Sequence, residues 1–352
     1  MAGNRVMETA DVRDGIVWQA DHADKADAPI TGRVVRATMA ILDTRTELAR
    51  RMATWPGFVL EDALPLRIAG GLHWLHLSGA EARLAPVYAG QVTDQALVDA
   101  TVAAVAVDWD ARLVPWLDSP PQTNEAGRSS SIMGGLLWLA QRLGPRFEMN
   151  EIGASAGVNT MMERYRYDLG GVEVGPADSP MRLKPEWRGP PPPAGEVDIV
   201  AIRGCDRAPV DLCDPAEALR LKAYVWADAQ ERMARIDAAI RLAAHQPPLL
   251  ERNDAGAFVE QRLEMPQQAG VTRVLFHSVM WQYLPEGTRR AITTAMEQAG
   301  SRATAERPLA WIRLETNRET FRHELSIRYW PHGETAVNLA EAHPHGAWVI
   351  WH

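Results

Sequence analysis

The chain has 352 residues, 46% of them hydrophobic and 23% charged. That balance excludes a disordered, collagen-like or rod-shaped chain and suggests about two globular domains. A formal charge of -8 disfavours phosphate-backbone partners, and only two cysteines, Cys205 and Cys213, exclude a disulfide framework.

The N-terminal segment mixes charges and has no apolar leader core, and no apolar run nears the roughly 18 residues of a membrane span. A cytoplasmic protein with no membrane partner and no nucleic-acid partner is expected. Residues 28–145 read as helical. Helix formers run from Ala28 to Thr54, where Trp55-Pro56-Gly57 stops them. Leu66, Ala69, His73 and Leu77 share one helix face. Asp94–Trp109 and Ala111–Leu117 read as two more helices, Ser119-Pro120-Pro121 as a break, and Glu125–Leu143 as an amphipathic helix.

From residue 146 the pattern alternates. Phe147–Ile152 reads as a strand, Gly153–Gly157 as a turn and Val158–Tyr167 as a helix. A Gly/Pro-rich stretch over 170–195 reads as a long loop, part of a substrate cover. Strands follow at Val197–Ile202, Pro248–Arg252, Val271–His277 and Leu309–Leu314. Helices separate them at Pro215–Ala244, Ala255–Leu263 and Pro285–Ala299. Glu324–Trp330 and Ala347–Trp351 suit an antiparallel pair. Strand–helix alternation implies a mostly parallel sheet with helices on both faces and ligands at the strands' carboxyl ends. The expected organisation is a helical domain over 1–120 and a Rossmann-like α/β domain over 121–352.

The strongest signal is Glu151-Ile-Gly-Ala-Ser-Ala-Gly157 between a strand and an expected helix. Small residues let a ligand approach the backbone. Dinucleotide binding wants GxGxxG, but Ser155 stands at the second glycine and the third is missing. The same residues spell the GxSxG elbow of a serine hydrolase, with Ser155 as nucleophile, His343 or His345 as base and Asp254 as orienter. A sheet whose first strand is the elbow strand counts against that.

Glu151-x-Gly153-x-Ser155-x-Gly157 resembles the first motif of class I S-adenosylmethionine-dependent methyltransferases, with Ser155 in place of the middle glycine. The resemblance implies Glu151 near the amino group of the methionine moiety, and Gly153, Ala154, Ser155 and Gly157 making room for the cofactor. It implies Asp206 at the ribose hydroxyls, Asn253 and Asp254 at the adenine, and His277 and Ser278 at the transfer site. On that reading His277 is a general base toward a small-molecule acceptor and Tyr283 orients it. Asn124 and Arg128 help to cover the cofactor.

Each residue also has a structural reading: Glu151 paired with Arg128, Asn124 and Glu125 as helix caps, Asp206 in a turn, His277 hydrogen-bonded in the core, Tyr283 in packing. His73 and His76 lack an acidic neighbour for a metal site, and the cysteines match no zinc spacing. Over most of the chain, PQTNEAGR (121–128), EIGASAG (151–157), RGCD (203–206), FHS (276–278), WQYL (281–284) and AHPHG (342–346) resemble an uncharacterised bacterial family, a domain of unknown function. That label implies no activity. A non-catalytic, nucleoside-binding descendant of the methyltransferase fold is the third reading.

Overall fold

A computed structural model describes residues 11–122 and 124–352. Two units divide them: residues 11–122 with Asp214–Ala234, and Asn124–Cys213 with Arg235–His352.

The first unit is helical. Val12–Lys25 opens it, N-capped by the Asp11 carboxylate. The run over 28–54 is not one helix. It breaks into Pro29–Ala37, a 3-10 turn over Thr38–Asp43, and Glu47–Ala53. The threonines explain the break: the Thr38 hydroxyl donates to the Val35 carbonyl, and Thr46 Oγ1 accepts from the Ala49 N–H to start a new helix. Leu64–Leu77 and Gln95–Asp108 lie close to their expected spans. Ile16, Val35, Ile41, Met52, Leu72 and Val102 are buried together as the core.

Asp214–Ala234 supplies a missing cap to this unit. Pro29–Ala37 has Ala28 at its N-cap position, which has no side-chain acceptor. The Asp228 carboxylate takes that role, accepting from the Ile30 and Thr31 N–H groups at 2.9 and 2.8 Å and from the Thr31 hydroxyl at 2.7 Å. The expected single helix over 215–244 is two, Pro215–Ala223 and Gln230–His245.

The second unit is mixed α/β. Its strands are β1 (Arg146–Ile152), β2 (Arg166–Leu169), β3 (Val172–Val174), β4 (Arg182–Leu183), β5 (Glu186–Arg188), β6 (Asp198–Asp206), β7 (Leu250–Arg252), β8 (Thr272–Ser278), β9 (Leu309–Thr316), β10 (His323–Trp330), β11 (Gly333–Ala342) and β12 (Trp348–Trp351). Nine form one sheet in the order β5-β12-β11-β10-β9-β8-β1-β6-β7, and β3-β2-β4 form a small second sheet. From β7 to β9 every pairing is parallel. Within that parallel run the third strand in sequence lies outermost, then the second, the first, the fourth and the fifth. The strand order reverses beside β1, the place where open α/β sheets generally take ligands.

Helices cover both faces. In β10, Leu325 and Ile327 point one way, and a side chain at Gly135 of helix Ser129–Leu143 would meet both. Trp330 has the opposite parity and packs against Gly300 of helix Glu286–Gly300. On the Trp330 face, Phe258, Leu275, Met296 and Trp311 are buried with it.

Three expectations change here. The segment after the glycine turn is no α-helix: a 3-10 turn over Asn159–Arg164 leads straight into β2. Tyr165 and Tyr167 are the reason, since both rings are fully buried and alternate as in an extended chain. Within 170–195 the chain forms the short strands β3, β4 and β5, while the proline run 190–193 lies outside any strand or helix. The C-terminal strands β10 and β12 do not pair with each other; β11 lies between them, and β10 also pairs with β9. No helix among the described residues is long and apolar enough to cross a membrane.

Candidate functional site

β1 ends in Glu151 and Ile152, and the chain turns through Gly153–Gly157. Gly153 and Ser155 both adopt positive φ, +68° and +53°. A glycine avoids the strain that Ser155 carries. The turn is tied to the end of β6. The Ala154 N–H donates to the Cys205 carbonyl at 2.9 Å, and the Ser155 N–H to Asp206 Oδ2 at 2.9 Å. The other Asp206 oxygen accepts from the Ala208 N–H at 2.9 Å. Asp206 therefore shapes the turn whatever else it binds.

Glu151 is the unusual group. It is 1% exposed, and its nearest hydrogen-bond donor is Asn159 Nδ2, 3.5 Å from Oε1. Glu151 Oε2, Asn159 Oδ1 and Ser155 Oγ are buried, and each lacks a hydrogen-bond partner among the described residues. A buried polar atom left unpaired costs about 1–3 kcal/mol. Three around one turn point to a missing partner. Burial pushes the Glu151 carboxyl up to about 8, helped by the charge of Asp206 and opposed by the Asn159 hydrogen bond and the charge of Arg128.

Arg128 does not form the ion pair with Glu151 that the structural reading expects. Its Nε donates to the Pro344 carbonyl at 2.8 Å and its Nη1 lies 3.4 Å from the Ser278 carbonyl. Asn124 Oδ1 accepts from the Val158 N–H at 2.8 Å, steadying the far side of the turn. Glu125 caps the Gly127 N–H and accepts from Arg235 Nε at 2.7 Å. The 124–128 segment thus reaches the glycine turn through Asn124 and the 342–346 segment through Arg128.

His277 is fully buried at the end of β8, stacked on Trp281 with ring centroids 4.9 Å apart. The Trp311 indole N–H, which can only donate, sits 3.1 Å from Nε2. Nδ1 therefore carries the proton and donates to Glu315 Oε1 at 2.6 Å. Both ring nitrogens of His277 are thus engaged by side chains of β9. Glu315 also accepts from the Met280 and Trp281 N–H groups at 3.2 and 3.3 Å. It was missed in sequence because it falls past the expected end of its strand; an acid at a carboxyl end was the available signal.

Tyr283 is 75% exposed on a 3-10 turn and packs in no core. Asp254 is committed as the N-cap of helix Ala255–Glu264, with Oδ1 2.8 Å from the Gly256 N–H. Its own N–H donates to Asn253 Oδ1 at 2.9 Å. Replacing Asp254 with Ala should cost about 1 kcal/mol in urea denaturation, as for other lost caps; no loss would show that the cap is dispensable. The Met280 side chain lies over Gly153, where a Cβ would meet it at 2.8–2.9 Å. Among the described residues, no three His, Cys, Asp or Glu side chains are grouped to hold a metal.

A family model described as an uncharacterized protein conserved in bacteria (DUF2332) matches residues 13–351, and the chain belongs to that family. No curated protein and no solved structure matches it.

Proposed function

We propose that this chain binds S-adenosylmethionine across the carboxyl ends of β1 and β6 and transfers its methyl group to a small-molecule acceptor. The observation that carries the reading is the buried, unpartnered Glu151 Oε2 beside a turn of small residues at the strand-order reversal. As the neutral acid Glu151 has an O–H to give, and as a carboxylate it only accepts; a ligand ammonium, which only donates, would match the ionised form. The order of the five parallel strands also suits a Rossmann-like core of the methyltransferase type.

When bound, the cofactor supplies an activated methyl group. Glu151 and Asn159 would hold its ammonium end and Ser155 Oγ would contact its polar tail. Asp206 would meet the ribose hydroxyls with lone pairs not used by Ser155 and Ala208. Asn253 keeps its side-chain N–H2 for the adenine. Met280 must swing off Gly153, which an unbranched side chain does at low cost. His277 and Glu315 fix the 278–281 turn, where Ser278 would face the acceptor. Alignment and exclusion of water are then the protein's contribution, and no general base is required of His277.

The positive φ of Ser155 favours one competitor, the serine hydrolase. No base reaches its Oγ, Asp254 is a helix cap, and His343 Nδ1 accepts from the His345 N–H at 3.1 Å. The expected result of calorimetric titration is saturable binding of S-adenosylmethionine and S-adenosylhomocysteine, weakened at least tenfold by Glu151→Ala and by Asp206→Ala. Absence of binding, with fluorophosphonate labelling lost in Ser155→Ala, would replace the transferase with the hydrolase. Binding with no turnover across acceptor classes would leave a nucleoside-binding protein.

A further inference from the structure

We infer that capture of an ammonium-bearing ligand at Glu151 is an exchange, in which the ligand's positive charge enters and the carboxyl proton leaves to solvent. The inference rests on the cofactor reading above and adds to it a proton linkage of the site.

The geometry sets this up. Glu151 is 1% exposed, and among the described residues its carboxyl accepts only the long hydrogen bond from the neutral Asn159 amide. The charged and titratable groups around it offer little compensation. From β6 come Asp206, whose negative charge opposes ionisation, and the Cys205 thiol, itself pushed up by burial. The Arg128 charge favours ionisation of Glu151, while its guanidinium hydrogen-bonds the Pro344 and Ser278 carbonyls. The Tyr165 hydroxyl donates to the Val158 carbonyl instead. On β8 the residue in register with Glu151 is Phe276, and the next, His277, is engaged with Trp311 and Glu315. A carboxylate in such a place is favoured only as the neutral acid, in keeping with a carboxyl held near 8. An ammonium donor within hydrogen-bond distance reverses that preference, because the pair and not the lone anion is then buried.

Atoms and charge balance simply: neutral Glu151 and a ligand ammonium become carboxylate and ammonium, with one proton delivered to the buffer. Affinity should then rise about tenfold per pH unit from pH 6 to 7.5 and flatten above pH 8. The measurement is calorimetry on the full chain with S-adenosylhomocysteine, repeated in buffers of different ionisation enthalpy. The comparison ligand is 5′-methylthioadenosine, which has the nucleoside and sulfur but no amino-acid tail. About one proton should leave per site at pH 7 with the homocysteine ligand and none with methylthioadenosine. Glu151→Gln, an isostere of the neutral acid, should abolish the release and flatten the pH profile. Binding without proton release, or release that survives in Glu151→Gln, overturns the exchange while leaving the cofactor reading intact. No binding of either ligand removes that reading and the exchange with it.

Discussion

Glu151→Gln should make the unliganded protein more stable at pH 8 than the parent, while leaving the two nearly equal at pH 4.5. Burial raises the folded-state carboxyl from its ordinary 4.5 to about 8. A group raised on folding contributes fully below its unfolded value, and that contribution is lost as pH rises through the folded value. The window is therefore about pH 4.5 to 8, with a slope of about 1.4 kcal/mol per pH unit inside it. Across the window the parent loses a few kcal/mol that Gln, with no charge to bury, keeps. Urea denaturation at pH 5 and pH 8 reads the difference directly. Parallel pH profiles for the two proteins would mean that Glu151 ionises in the folded state without cost, and that the unpartnered oxygen is solvated.

The second large effect is expected at Gly346. It has φ +72°, and a Cβ there would lie 2.4 Å from the Gly127 backbone; a Cβ on Gly127 would in turn meet the His345 carbonyl oxygen at 2.7 Å. The two loops touch backbone to backbone, so no flexible side chain can move aside. Gly346→Ala combines left-handed strain with a backbone clash and should cost about 3 kcal/mol or more. It should also disturb the glycine turn, because Arg128 holds the Pro344 carbonyl and Asn124 holds the Val158 N–H, and so weaken the ligand binding proposed there. An unchanged urea midpoint would show that the 124–128 and 342–346 segments do not pack as described.

These two sites show why the motifs cluster. In sequence, 121–128 and 342–346 lie more than two hundred residues apart. In the fold, Gly127 meets Gly346 and Arg128 reaches both Pro344 and Ser278. The residue types already announced a polar, glycine-bearing site. Their mutual contacts depend on β8, β9 and β11 lying in one sheet, which no local pattern encodes.

What the sequence determined by itself was periodic. Apolar spacing located β1, β6, β8 and β9 within a few residues, together with most helices, because burial of one face repeats along the chain. It also marked the turn at Gly153–Gly157 and the acids at the ends of β1 and β6. Tertiary structure decided the rest, where partners come from afar. Burial of Tyr165 and Tyr167 turned an expected helix into a 3-10 turn and a strand. Asp228 caps a helix about two hundred residues before it, which draws Asp214–Ala234 into the helical unit. Trp311 and Glu315 occupy both nitrogens of His277, contacts that no local pattern foretells. Spacing along a chain reveals which face a side chain uses; the hydrogen bonds that engage it are set by the neighbours the fold brings.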